Sequence, residues 1–173
     1  NQAIMDFGAV QCTPQSPNCL FCPLSGSCRA LSEGKVQQLP VKQHRTKTTN
    51  RYFNYIYVRM GAYTFIHKRT EDDIWKNLFE LPLVETEKDL SEEEFLACPQ
   101  FHALFAEGEV RMVRTLLRGV KHVLSHRVIY TNFYEVTLPD NSSSFSSYQR
   151  VAVEDLGRYA VPRLIHAFLE KYV

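Results

Sequence analysis

No stretch of this 173-residue sequence reaches the ~18 consecutive apolar residues that a bilayer-spanning helix requires, so no such helix is expected. No signal-peptide pattern is present, and nothing directs the chain to secretion. A starting Met is missing as well. Asn1 to Gly8 reads as the last turns of a helix, and the chain as a piece cut from something longer. Internal repeats are lacking. Cysteines are few and badly placed for a disulfide framework, which spreads its bridges across a small secreted chain. Four of the five crowd together at Cys12, Cys19, Cys22 and Cys28. That crowding suits a metal site in a reducing compartment and leaves Cys98 as a bland, buried thiol. Acids are missing from Val110 to Arg127, which holds five Lys or Arg, and nearly so from Arg29 to Arg51, with six Lys or Arg to one acid. Glu71 to Glu109 reverses the balance, with twelve acids to two Lys. These blocks read either as solvated faces of alternating sign or as two basic stretches turned toward a polyanion.

What remains has the composition of a folded protein, 45% hydrophobic and 23% charged, which excludes a disordered chain. Residues 1–32 end a helix and carry the cysteines; Pro14, Pro17 and Pro23 exclude long regular structure there. Residues 33–50 have a linker composition, in which Lys42, Arg45 and Lys47 suit phosphates. Residues 51–173 read as one α+β domain of five or six strands and two or three helices. Tyr52 to Met60 is apolar on both alternating faces, the mark of a strand covered on both sides. Gly61-Ala62 turns the chain into a second strand, Tyr63 to Lys68. Trp75 to Pro82 is a short apolar run with Trp75 in the core. Val110 to Leu117, Val120 to Leu124 and Arg127 to Leu138 read as three further strands. Ser91-Glu92-Glu93-Glu94 is a capping box that starts a helix, interrupted at Pro99. Asp140 to Ser147 is a polar loop. Val161, Leu164, Ile165, Phe168, Leu169 and Tyr172 recur at helical spacing, with Pro162 in a first-turn position of that helix.

Four thiolates can hold a soft metal ion or an iron–sulfur cluster. Zinc sites favour two separated C-x-x-C pairs. Here only Cys19 and Cys22 form one, and the wide gaps to Cys12 and Cys28 favour a bulkier group, each thiolate reaching a different iron. Zinc stays open on spacing alone.

The leading helix and the spacing C-x6-C-x2-C-x5-C, with Cys22-Pro23, resemble the end of the glycosylase domain in the endonuclease III superfamily. Cys12-Thr13-Pro14 and Leu39-Pro40-Val41-Lys42 resemble its adenine DNA glycosylase branch, the MutY family. The resemblance implies that Cys12, Cys19, Cys22 and Cys28 bind a 4Fe-4S cluster. It also implies that residues 51–173 form a Nudix-like mixed sheet flanked by helices, which recognises 8-oxoguanine opposite the adenine to be removed. Lys68-Arg69 with Ile74-Trp75-x-x-Leu78-Phe79-Glu80-Leu81-Pro82, and Ala160 to Ile165, resemble segments of that domain. Lys121-His122-Val123-Leu124-Ser125-His126 resembles the family's loop with a Phe-Ser-His core, Leu124 standing where Phe is usual. The resemblance therefore implies that Ser125 contacts 8-oxoguanine, with Leu124, His126, His122 and Lys121 beside it. A hydroxyl can accept from the N7–H that 8-oxoguanine has and guanine lacks. Leu124 fills an apolar gap but offers no aromatic face. His122 and His126 would share one face of a strand, with no third ligand to complete a metal site. The loop Thr13 to Asn18 departs from the family in having no Lys or Arg, so its phosphate contacts would be limited to amides and hydroxyls.

The implied partner is double-stranded DNA containing 8-oxoguanine:adenine, and the implied state a monomer, in the cytoplasm of a bacterium or the nucleus or mitochondrion of a eukaryote. The family's catalytic groups lie in the part that precedes Asn1. No catalytic residue is expected here, and the fragment alone is expected to be inactive; Asp6 is not the match for the catalytic Asp. Two other readings are a zinc-bearing nucleic-acid-binding module and a Nudix hydrolase. The latter needs clustered Glu residues that hold a divalent metal beside a diphosphate. Glu92-Glu93-Glu94 lacks the preceding Arg-Glu pair and reads as a solvated first turn, favoured by the helix dipole.

Overall fold

The computed structural model describes residues 2–39 and 48–173. The chain divides into two compact units, Asn1–Thr46 and Lys47–Val173. Lys42, Arg45 and Lys47, expected to suit phosphates, lie outside the described residues.

In the first unit, α1 (Gln2–Val10) is followed by the cysteine segment, which contains only two single 3-10 turns, Cys19–Phe21 and Ser25–Ser27, and then α2 (Arg29–Ser32). None of these elements buries a residue.

The second unit is built on a four-stranded sheet of order β4-β1-β6-β5, in which β1 (Thr49–Arg59) runs parallel to β6 (Arg127–Thr137). β4 (Leu83–Thr86) and β5 (Met112–Val123) flank them antiparallel. A second, antiparallel sheet has the order β3-β2-β7, from Phe79–Glu80, Tyr63–Lys68 and Gln149–Ala152. β1 shows why the middle strands carry apolar side chains on both faces: successive side chains feed two cores. Phe53, Tyr55 and Tyr57 join Ile129 and Phe133 of β6 with Leu164, Ile165 and Phe168 of the last helix, α5 (Arg163–Tyr172). Ile56 and Val58 join Tyr134 and Val136 with Phe95 of α3 (Glu92–Leu96) and Phe101 of α4 (Pro99–His102). The result is an α+β sheet with helices on both faces.

Local signals held where they were strong. The capping box closes at Ser91, whose hydroxyl accepts from the Glu94 N–H while the Glu94 carboxylate accepts from the Ser91 N–H. Gly61 turns at φ 58°, with Asp140 so close that a Cβ would lie 2.9 Å from its Oδ1. The Asp140 to Ser147 loop is pinned, because Glu109 accepts from Ser142, Ser143 and Ser144, bonds that hold its pKa down at about 2.

Three expectations need correction. The segments Val110 to Leu117 and Val120 to Leu124 are one strand, β5, whose register shifts twice between Thr115 and Val120. Gly119 sits at φ 68° in the second shift, and its N–H donates to Asn132 Oδ1 at 2.9 Å. The glycine reads as a strand break in sequence but is a bulge in the fold. Trp75 is half-buried at the edge of the core, in a loop at φ 59°, and not within it. Pro162 precedes α5 as its N-cap residue instead of lying in its first turn. Nothing lies within 4 Å of a Cβ placed on Gly119, so Gly119→Ala isolates the cost of the left-handed backbone. It is expected to destabilise the domain by about 1 kcal/mol, read as a lower urea midpoint at unchanged slope.

Candidate functional site

The residues singled out in the 121–126 segment all fall on the β5–β6 hairpin. Leu124 N–H donates to Arg127 O at 2.8 Å and closes the turn around Ser125 and His126. His126 O accepts from the Thr49 N–H at 3.1 Å, which ties the tip to the start of β1. Leu124 is half-buried and packs on the β1–β6–α5 core, the gap-filling role open to it. Ser125 and His126 are exposed, and among the described residues neither their side chains nor their backbone N–H groups have a hydrogen-bond partner. Lys121 and His122 are paired in register with Tyr130 and Ile129, so they point to opposite faces. His126 lies in the turn and not on a strand, so strand alternation does not bring it onto the face of His122. The imidazole of His122 instead meets Trp75, with ring centroids 5.8 Å apart.

Behind the hairpin lies an ionic network that the sequence did not disclose. Asp73 accepts from Arg51 at 2.5 Å, from Arg69 at 3.0 Å and from Arg127. Burial pushes its pKa up, but the bonds from Arg51, the Ile74 backbone and Arg127 outweigh it and hold the carboxyl well below the usual range. Glu80 is almost wholly enclosed. It accepts from Arg69 at 2.8 Å and from the Tyr55 hydroxyl at 2.9 Å, and His67 Nε2 lies 3.1 Å away. Here too burial raises the pKa, and the bonds from His67 and Arg69 win, leaving it lowered. Burial and the Glu80 charge push Tyr55 well up, so its hydroxyl stays a donor. Arg51 also bonds Glu85 through two nitrogens at 2.6 Å each. The bidentate geometry fixes β1 to β4.

In the first unit Cys12, Cys19, Cys22 and Cys28 are free thiols that line one small cavity, together with Pro17, Asn18 and Leu31. Among the described residues no three His, Cys, Asp or Glu side chains gather around a single ion's position. Soft donors of one kind around a cavity are a set able to hold a thiophilic group. The acids of α3 do not form a catalytic cluster: Glu92, Glu93 and Glu94 are exposed, and Glu94 is engaged by the cap. No helix among the described residues is long and apolar enough to cross a membrane.

A mixed sheet with helices on both faces places the second unit in the α+β class. Residues 54–171 match the NUDIX domain family, and the chain belongs to that family. Beyond that domain it is similar to adenine DNA glycosylases, which bears out the resemblance seen in the sequence. One, from Buchnera aphidicola subsp. Acyrthosiphon pisum (strain APS), is 26% identical over 175 residues, taking in 99% of this chain and 47% of the relative. Another, from Buchnera aphidicola subsp. Schizaphis graminum (strain Sg), is 37% identical over 86 residues, 50% of this chain and 25% of the relative. The chain thus spans less than half the length of these relatives. The C-terminal domain of mouse MUTYH, solved in complex with human PCNA, shares the fold. Its TM-score is 0.56 at 14% identity, over 70% of this chain and 86% of that one.

Proposed function

We propose that this chain is the C-terminal, lesion-reading part of an adenine DNA glycosylase that removes adenine paired with 8-oxoguanine in double-stranded DNA. One observation carries the reading: a four-cysteine segment and a NUDIX-family domain with an exposed Ser125-His126 turn occur together in one chain, similar to adenine DNA glycosylases from end to end. The groups that break the glycosidic bond belong to the rest of the enzyme. This chain's task is recognition and, through the cysteines, support of the neighbouring domain.

The exposed turn offers complementary chemistry. 8-Oxoguanine presents an N7–H donor and an O8 acceptor where guanine presents a bare N7 acceptor. The Ser125 hydroxyl can accept from N7–H, and the unpaired N–H groups of Ser125 and His126 can donate to O8. Guanine has C8–H in place of O8, so a donor aimed at that position finds no acceptor. Cys12, Cys19, Cys22 and Cys28 would hold a 4Fe-4S cluster; the single C-x-x-C pair with wide outer gaps supports a cluster over a single zinc ion.

In the full-length protein, Ser125→Ala is expected to lower the preference for adenine opposite 8-oxoguanine over adenine opposite guanine by about fivefold, the worth of one hydrogen bond. The measurement is single-turnover adenine release from the two duplexes, and an unchanged ratio would remove Ser125 from the reading. Metal analysis of anaerobically purified protein should give iron and sulfide with a visible absorbance band. Stoichiometric zinc without iron would favour the zinc-bearing binding module instead.

A further inference from the structure

The turn at Ser125 and the loop between β2 and β3 are far apart in sequence, yet two side-chain pairs join them. The Trp75 indole lies against the His122 imidazole. Asp73 accepts from Arg127, the residue that closes the turn. Trp75 stands at φ 59° and Asn77 at φ 70°, a conformation that a bulky L residue avoids unless its surroundings impose it. The loop imposes it by lacing itself shut. Arg69 N–H donates to Leu78 O at 2.9 Å, and Asn77 N–H to Arg69 O at 2.8 Å. The Arg69 guanidinium fills the interior, donating to Ile74 O and to Asp73, both at 3.0 Å. The rigid loop therefore grips the hairpin from the side, while Thr49 and Arg127 hold its backbone.

We propose that Asp73 and Trp75 are positioning residues for base reading, which fix the Leu124–Arg127 turn so that Ser125 meets the base edge in one orientation. This rests on the reading of Ser125 given above. The need for it is physical. A hydroxyl can accept from the N7–H of 8-oxoguanine, but it can also rotate and donate to the bare N7 of guanine. A loose turn would shift to suit either base. A turn held on several sides keeps the Ser125 and His126 N–H groups aimed at the position of O8, where guanine has only C8–H, so the wrong base leaves a donor unpaired whatever the hydroxyl does and discrimination appears.

The test compares Ser125→Ala, Asp73→Asn, Trp75→Leu and Trp75→Phe in the full-length protein. Each is scored for the ratio of adenine release opposite 8-oxoguanine and opposite guanine, for melting temperature, and for amide exchange at Ser125 and His126. Asp73→Asn and Trp75→Leu should each lose about threefold of the ratio, no more than Ser125→Ala does, with faster exchange at the turn, and Trp75→Phe should restore most of it. Should Asp73→Asn fold poorly, Trp75→Leu, which removes no charge, decides the matter. A ratio lost in Ser125→Ala but retained in Asp73→Asn and Trp75→Leu overturns the positioning role while leaving the reading of Ser125 intact. A ratio retained in Ser125→Ala overturns that reading and the positioning role together.

Discussion

Glu80→Ala is expected to destabilise the second unit by about 3 kcal/mol, the low end of the cost of breaking a buried ion pair, because Arg69 keeps Asp73 as a second carboxylate partner. That is a large share of the 5–15 kcal/mol that holds a domain of this size folded. Arg69 is 9% exposed and directs one nitrogen at both Glu80 oxygens. With the carboxylate gone, its charge stays enclosed, and the Tyr55 hydroxyl loses its acceptor as well. Glu80→Gln keeps an acceptor for Tyr55 but not the charge, and should fall between the wild type and Glu80→Ala. The same network sets the acid limit. Glu80 and Asp73 have lowered pKa values in the folded chain, so the folded state binds fewer protons than the unfolded state at low pH. The stability they supply is fully present at neutral pH, begins to fall as the pH drops below about 4.5, and is lost as the folded-state carboxyls protonate. Urea midpoints from pH 7 to pH 3 should show this fall, and it should be shallower in Glu80→Gln. A Glu80→Ala protein as stable as the wild type would mean that Asp73 and the Ile74 carbonyl alone satisfy the Arg69 guanidinium.

That network also explains what could and could not be seen in the sequence. Short-range patterns were legible because their physics is local. The alternation through Tyr52 to Met60, the Ser91 cap and the spacing of Leu164, Ile165 and Phe168 each state their structure within a few residues. β4 and β7 escaped, since each is four residues long with one fully buried side chain, Val84 and Val151. Such strands are defined by the neighbour they pair with and not by their own pattern. Asp73 looked like one more acid in an acidic block. Its meaning comes from Arg51, Arg69 and Arg127, which chain topology and not spacing brings to it. The candidate site divides in the same way. The four cysteines and Ser125-His126 stood out in the sequence, but the side chains that grip the turn are visible only once β1, β6 and the loop after β2 are folded together.

Removing the cluster proposed for the four cysteines is expected to strip residues 2–39 of their amide protection and to leave the melting of residues 48–173 unchanged. The reason is the absence of any other adequate source of order in the first unit. Its helices and turns bury no residue, and Val10, Leu20 and Phe21 are 81%, 85% and 76% exposed. Ordering costs roughly 1–2 kcal/mol of backbone entropy per residue, and chains below ~40 residues seldom offset that without a metal, a disulfide or a partner. The five cysteines are free, so no disulfide contributes. The surface ion pairs of Glu33 with Arg29 and Lys35 hold one turn at most. Structural zinc supplies on the order of 10 kcal/mol to a zinc-finger peptide, and a comparable contribution from a group held by these four thiolates would be enough to set the fold of this segment. Hydrogen exchange on the 173-residue protein before and after anaerobic chelation tests the point, with Cys19→Ser as the matched variant. Retained protection at α1 and at the Cys19–Phe21 turn in metal-free protein would show that the segment orders itself without the thiolates bound. The cysteines would then be spectators of the fold and not its cause.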